Sequence, residues 1–498
     1  MSNSVITHAV FLKFADYTDL QACIDSGKRQ QLYEESQETV VSNKVLLEDL
    51  PLRRFHAQVA FSGTGGQFSD GFVLGIIGIA VSMAAGPLQL DAMWMGLLGA
   101  ASLAGLFLGS IFAGPFADKH GRRSIFAYDM VLFAAISAAQ FFVTSPTQLL
   151  ILRLLLGLIL GADYVVSKSL VTEYAPRRYR GRLLSVLAAA WAAGYVGAYL
   201  VGFMMRDLGP DAWRYMLVAS GLPALLIFPL RMGVPESPLW LMKRGRRDEA
   251  LEIVRRKLGP EVDLVQPEPV AMQQRKGAWA QLFSPRWRRN TLVGCVFYTC
   301  QVIPFFALGT FSPRVLEALQ VKDSFAGGVV YNVLLFIGAI IGLLLIDRLS
   351  RRAFLIGTFY LAAIALALLA FGHFGPIGTM LVFGVFACVL SAAANLEFVY
   401  PPELFPTHLR ASGVGLAVAS SRFGSAISTF LLPIAVQQVG IHAALGACVA
   451  VLVFGGVFCH MLAPETGNDN LSDVGGANDS EEPRPVASTT PLNHSVAR

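Results

Sequence analysis

The stretch RLLLGLILGADYVVSKSLVTEYAPRRYRGR, Arg153 to Arg182, decides how the rest of the chain is read. It starts as an apolar helix long enough to cross a bilayer and ends in a cluster of arginines. Arg153, Asp163, Lys168 and Glu173 nevertheless fall inside its membrane-length part. A charged side chain at bilayer depth costs at least about 2.5–3.5 kcal/mol, so such residues face a protein interior or a watery cavity and mark a pathway. At about 100° per residue, Asp163, Ser167, Tyr164, Gly157, Lys168 and Gly161 all lie within about 80° of Arg153, and leucines and valines largely fill the rest. Glu173 lies off that arc, beside the terminal arginines. Gly157 and Gly161 form a G-x-x-x-G pair that lets a neighbouring helix approach closely. A buried ion pair that merely locks two helices would explain any one of these charges; the group points to a pathway.

The composition around this helix is that of a polytopic membrane protein. The 498 residues are 54% hydrophobic and 15% charged, where a soluble protein carries about 25% charge; the mean hydropathy is +0.55. The 47 glycines agree, since glycine is commoner in membrane helices than in soluble ones. The net charge of +5 is no nucleic-acid signal, because the basic residues sit in short loops between apolar runs. All the cysteines but Cys23 fall in apolar runs without metal-ligand spacing, which suits apolar filling rather than disulfides or zinc. The first fifty or so residues are polar, so a cleavable signal peptide is not expected there.

Apolar runs occupy 58–84, 93–116, 124–145, 148–173, 183–205 and 213–233, and then 291–317, 326–346, 353–373, 378–401, 410–432 and 440–462. Each is near the ~20 residues that cross a ~30 Å hydrocarbon core. The expected fold is an all-α integral membrane protein of twelve transmembrane helices, hereafter spans 1–12. One six-helix bundle covers 57–233 and a second covers 291–462. The hydrophilic linker over 234–290 reads as short amphipathic helices; GRRDEALEIVRRKLG (245–259) puts Ala250, Leu251, Val254 and Leu258 near one face. The segment 1–56 is polar, and its end, NKVLLEDLPLRRFH (43–56), reads as a surface helix. The tail 463–498 is rich in Pro, Ser and Asn and is expected to be disordered.

Loop charges set an orientation. Lys119, Arg122 and Arg123 follow span 2, Arg177, Arg178, Arg180 and Arg182 follow span 4, Arg348, Arg351 and Arg352 follow span 8, and the linker is denser still. SPTQ (145–148) and HFGP (373–376), on the alternate side, carry no Lys or Arg. By the positive-inside rule both termini and the linker are cytoplasmic. The chain also repeats itself: GPFADKHGRR (114–123) after span 2 echoes IDRLSRR (346–352) after span 8, and EYAPRRYRGR (173–182) echoes PELFPTHLRASG (402–413). Two six-helix halves in one orientation are a parallel-repeat transporter plan, with the site between them near mid-membrane.

These residues resemble the major facilitator superfamily, and within it the sugar-porter-like, proton-coupled metabolite transporters. Gly114, Asp118, Lys119, Gly121, Arg122 and Arg123 match the family loop G-x-x-x-D-[RK]-x-G-R-[RK]. Arg153, Gly157, Gly161, Glu173, Pro176, Arg180 and Gly181 match its fourth-span pattern. PESPLWL (235–241), PELFPTHLR (402–410) and PETG (464–467) match motifs after spans 6, 10 and 12, except that Leu239 replaces an arginine. The likeness covers roughly 58–467. It implies alternating access, with a cytoplasmic gate of Asp118, Arg122, Glu173, Arg180, Arg348, Glu403 and Arg410. Glu173 and Arg180 are expected to pair across the cytoplasmic mouth with Glu403, Arg348 and Arg410, in breakable contacts worth ~0–1 kcal/mol each.

Asp70 is the only charge in GGQFSDGFVLGIIG (65–78). The resemblance implies that it carries the coupling proton, with Arg153 as its partner; Asp163 is the candidate second coupling carboxylate. A nearby arginine keeps a carboxylate ionised, whereas desolvation without it favours protonation. The expected substrate-binding residues are Tyr164, Lys168, Tyr298, Gln301, Asn395, Glu397 and Arg422, with Asp163 and Lys168 choosing the substrate. Phe305 and Phe306 are candidate lining residues, although plain packing also explains them. Sugar porters carry QQ-x-x-G-x-N in span 7; YTCQVIPFFALGTFSP (298–313) retains only Gln301, which speaks against an ordinary hexose. GADYVVS (161–167) resembles the GGDYPLS of phosphate:proton symporters, yet span 7 lacks an aspartate. Lys168, Arg153 and Arg422 could instead form an anionic-substrate pocket.

The expected function is secondary active transport of a small polar metabolite, sugar-like or an organic acid, by proton symport. The alternatives are a phosphate or organic-anion symporter, a drug:proton antiporter, and a non-transporting sensor on the same fold. No nucleophile–base set, metal spacing or phosphate loop suggests an enzyme. The expected partners are a small-molecule substrate and the lipid bilayer, with no nucleic acid and no cofactor beyond the proton, and the protein is expected to act as a monomer.

Overall fold

The computed structural model describes residues 45–176, 178–264, 278–346 and 348–466. Expectations for 1–44, 265–277 and 467–498 lie outside the described residues. Among the described residues twelve helices are long and apolar enough to cross a membrane. In the first half they are Arg54–Ala84, Ala92–Ala113, Arg122–Phe142, Pro146–Tyr174, Leu183–Met205 and Ala212–Met232. In the second half they are Arg288–Thr310, Ser324–Leu345, Arg351–Phe371, Pro376–Glu403, Ser412–Val439 and Ile441–Leu462. Several start on side-chain caps, which satisfy backbone N–H groups that a helix leaves unbonded. Asp91 accepts from Trp94 at span 2, Ser145 from Gln148 at span 4, Asp323 from Ala326 at span 8, and Ser350 from Ala353 at span 9.

Three runs that hydropathy reads as single spans are interrupted. Span 10 divides at Asn395 into Pro376–Ala394 and Leu396–Glu403. Span 6 divides into Ala212–Ala219 and Leu222–Met232, the second piece having Pro223 in its first turn. The run 291–317 ends as a span at Thr310, and a short helix, Ser312–Ala318, follows with Pro313 in its first turn. Proline cannot donate to the preceding turn, so it favours a fresh helix start.

Close packing within each half depends on glycine. A Cβ on Gly157 or Gly161 of span 4 would lie 2.2 or 2.4 Å from the carbonyls of Ser102 or Leu106 of span 2. Gly105 and Gly109 of span 2 meet the carbonyls of Leu154 and Leu158 in return. The second half repeats the device: Gly338 and Gly342 of span 8 meet the carbonyls of Cys388 and Ala392 of span 10.

The linker forms a small core with the start of the chain. Val45–Leu46 pairs in parallel with Val262–Asp263, and Leu47, Leu50, Val254 and Leu258 are buried together with Phe55 and Tyr174. The surface helix expected over 43–56 is therefore replaced by a strand and a single 3-10 turn, Leu47–Asp49. Pro51 explains the stop: the residue before a proline is pushed to extended backbone, and Leu50 has φ −64° and ψ 147°. Within Arg247–Leu258, Ala250, Ile253, Val254 and Leu258 are buried.

Three polar contacts between the halves lie at the end of the bundle away from the linker. Arg314 Nη2 donates to the Ser82 carbonyl at 3.4 Å, Tyr199 Oη to the Phe325 carbonyl at 3.2 Å, and Arg206 pairs with Asp323 at 3.4 Å. A Cβ on Gly78 of span 1 would fall 1.5 Å from the Thr310 carbonyl of span 7, so the halves touch directly there.

Candidate functional site

On the linker side of these contacts a cavity opens between the halves, with about 60 Å³ of space for water centres. That is several times what one water needs. Tyr164, Trp191, Phe306, Asn395, Glu397 and Arg422 are among its walls. Two cations meet at Tyr164. Lys168 Nζ lies 3.5 Å from its ring centroid and 4.4 Å from that of Phe398. Arg422, from the other half, places its guanidinium carbon 5.4 Å from the Tyr164 ring and 5.6 Å from Phe306, and Nη2 donates to the Tyr164 hydroxyl at 3.4 Å. Tyr298 lies against both Tyr164 and Glu397. Pro401 and Pro402 of span 10 lack N–H groups, so the carbonyls of Glu397 and Phe398 at the cavity wall lack the usual helical bond from the residue four on.

Not every expected lining residue faces this space. Asn395 borders it, but its amide donates to the Ala339 carbonyl at 3.1 Å and the Ala392 carbonyl at 3.2 Å. Gln301 is buried, and its amide nitrogen reaches the Leu390 carbonyl at 3.4 Å, away from the cavity. Phe305 and Phe306 do line it, along with Trp191 and Phe398.

Asp163 is placed differently from the expectation that it helps to choose a substrate. It turns into the first half, where Arg231 of span 6 grips both its oxygens at 2.7 and 3.0 Å, and Ser167 donates to it at 2.5 Å. Asp129 of span 3 shares the same guanidinium at 3.0 Å. The Arg231 side chain is fully buried, and its guanidinium carbon lies 4.1 Å from the Phe126 ring centroid. Gly66 makes room for the pair: a Cβ there would sit 1.6 Å from Arg231 Nη2.

The expected Asp70–Arg153 pair is not formed. Arg153 Nη2 donates to the Val73 carbonyl at 3.1 Å, and its Nε and Nη1 have no hydrogen-bond partner, although the residue is fully buried. Asp70 accepts from Gln67 Nε2 at 3.2 Å and faces the charges of Asp163, Arg231, Asp129 and Lys168. The physical reason is the depth at which each helix presents its groups. Span 1 offers Arg153 a carbonyl one turn beyond Asp70, while the cation nearest Asp70 comes from span 6. Sequence reasoning missed Arg231 and Asp129. Both lie inside runs read as membrane-spanning, and so met the same criterion that singled out Asp163.

At the linker end the expected charges pair within each half rather than across the mouth. Glu173 is bound by Arg122 and by the Ser237 hydroxyl. Glu403 lies 3.7 Å from Arg351, not Arg348, and accepts from Thr466 at 2.5 Å. Arg348 is exposed. Arg180 donates to the Ala175 carbonyl at 3.5 Å and Arg410 to the Pro402 carbonyl at 2.9 Å. The Asp118 side chain lies outside the described residues. Each half adds a second glutamate that holds a helix start. Glu236 accepts from the backbone N–H groups of Arg122 and Arg123 at 2.9 and 3.2 Å. Glu465 accepts from those of Arg351 and Arg352 at 2.9 and 3.1 Å. A carboxylate is stabilised at a helix N-terminus, where backbone donors and the helix dipole converge. Gly121, at φ 96°, turns the chain just before this cap.

The sugar (and other) transporter family matches residues 29–475. The inner membrane metabolite transport protein YgcS of Escherichia coli K12 is 41% identical over 441 residues, covering 88% of this chain and 98% of that protein. The niacin transporter NiaP of Acinetobacter baylyi is 30% identical, covering 86% of this chain and 98% of that one. Among solved structures, the inward-open xylose transporter XylE from E. coli superposes with a TM-score of 0.70 at 20% identity, over 84% of this chain and 99% of that one. Twelve membrane spans, two glycine-packed halves and a cavity between them agree with those likenesses: the chain belongs to the sugar (and other) transporter family, the membrane transporters of major-facilitator type.

Proposed function

We propose that the protein is a proton-coupled symporter of small organic acids, acting by alternating access. The observation that carries this is the convergence of Lys168 and Arg422, from opposite halves, on Tyr164 at the cavity. With Glu397 alongside, the cavity charges sum to one positive, which complements a monoanion. The aromatic walls, Trp191, Phe305 and Phe306, suit an organic body better than inorganic phosphate. NiaP, named for a pyridine carboxylate, is a relative whose substrate has this chemistry. Gln301 gives no support to a hexose, since its amide is turned to span 10.

Proton coupling is assigned to Asp70, which is fully buried and faces the charges of Arg231, Asp163, Asp129 and Lys168. Both termini and the linker face the cytoplasm, by the arginine-rich loops on that side. The closed far end then makes this an inward-facing arrangement, and one chain suffices as the transport unit. A ligand panel read by thermal shift on purified protein tests the substrate class. Nicotinate, benzoate and related monocarboxylates raise the melting temperature, and the shift disappears in Arg422→Ala. Stabilisation by neutral sugars alone contradicts the assignment.

A further inference from the structure

The first half contains a buried centre that the substrate cavity does not use. Arg231 is the cation that bonds both of its carboxylates. Its Nη1 points at Asp163 Oδ1, 2.7 Å away, and at both oxygens of Asp129, 3.0 Å away. Its other donors are taken by Asp163 Oδ2, the Ser167 hydroxyl and the carbonyl of Ser62. The two carboxyl groups thus converge on one nitrogen of the guanidinium. Asp163 is fully buried and Asp129 is 4% exposed, so water does not screen the second negative charge.

One guanidinium balances one carboxylate. Like charges held this close and out of water resist joint ionisation, and one shared proton relieves such an excess. Asp70 is an independent sign of that excess. It is fully buried, faces the pair from span 1, and keeps Oδ1 without any partner. The charged groups around the pair are Arg231 from span 6, Asp70 from span 1 and, further along span 4, Lys168.

We propose that Asp129 and Asp163 form a carboxylate dyad that holds one proton over Arg231, a proton-binding site distinct from Asp70. The added proton lies between the two carboxyl groups and leaves the dyad with one negative charge, matched by the guanidinium. Span 1 lies directly on this centre, because Gly66 stacks against Arg231 Nη2 and Asp163 Oδ2. Loss of the proton restores an unbalanced charge beside Asp70, so the occupancy of the dyad biases protonation at the carrier. The inference deepens the proton-coupled reading and rests on it for its role in transport.

Infrared spectroscopy of the purified protein tests it without transport. At neutral pH the wild type shows the stretch of a protonated carboxyl group that Asp70→Asn retains and that Asp129→Asn and Asp163→Asn each remove. Asp129→Glu, which keeps the dyad, retains the band at a shifted frequency and guards against misfolding of the asparagine variants. Absence of the band from the wild type, or its survival in Asp129→Asn, overturns the dyad. Gradient-driven uptake by the wild type is measured in parallel. Uptake indifferent to a pH gradient removes the symport reading while leaving the infrared result to stand or fall alone. With symport intact, Asp129→Asn displaces the pH profile of uptake from that of the wild type; coincident profiles deny the dyad any part in coupling.

Discussion

The proposed mechanism gives Asp70 and Arg422 separable jobs. Asp70→Asn removes the only carboxylate of span 1, so the variant is expected to lose accumulation against a gradient while still exchanging labelled for unlabelled substrate across the membrane. Loss of both activities would place Asp70 in binding rather than in coupling. Arg422→Ala removes a charge-assisted contact worth ~1.5–3 kcal/mol, which weakens substrate binding roughly 10- to 100-fold and is read as a raised KM with the pH profile kept. At this scale the sequence was partly legible. Burial of charge at membrane depth picks out Asp70, Arg153, Asp163 and Lys168, and would have picked out Asp129 and Arg231 by the same rule. Partnership was not legible. Which cation meets which carboxylate depends on how three or four helices align in depth, and a one-turn offset gave Arg153 the carbonyl of Val73 instead of Asp70.

Helix ends and helix contacts make the next set of expectations. Glu236 holds two backbone N–H groups at the start of span 3, so Glu236→Ala should cost about 0.5–2 kcal/mol, seen as a lower melting temperature that Glu236→Asp partly restores. An unchanged melting temperature would show that water replaces the cap. Gly157→Val drives a side chain into the Ser102 carbonyl, where even a Cβ would stand 2.2 Å away. Overpacking of this kind costs ~1–3 kcal/mol and should lower the yield of folded protein more than the same change at Gly415, which has open space. Hydropathy locates the twelve elements because each must present about twenty apolar residues to lipid. It does not show the breaks near Gly221 and Phe311, since the residues on both sides are equally apolar. The gate motifs suggested that Glu403 and Arg348 pair with the first half, but Arg348 lies exposed and Glu403 is bound by Arg351 of its own half, at the start of span 9.

For the whole molecule the distribution of contacts matters more than any one of them. The halves are tied together at the end away from the linker by Arg206–Asp323, Arg314–Ser82 and Tyr199–Phe325. At the linker end, Glu173 and Glu403 are bound inside their own halves. Such a molecule is closed on one side, and alternating access requires that closure to break. A reducible bifunctional thiol crosslinker joining Arg206→Cys to Asp323→Cys should arrest uptake and release it on reduction; undiminished uptake by the crosslinked protein would mean that the far end does not open. The central claim, proton-driven entry of an organic acid, is tested most directly in proteoliposomes holding the wild-type protein and supplied with labelled nicotinate. Substrate should accumulate when the outside is made acidic and leave when a protonophore collapses the gradient. Accumulation only when the lumen starts acidic, or at a rate indifferent to the gradient, would contradict the account.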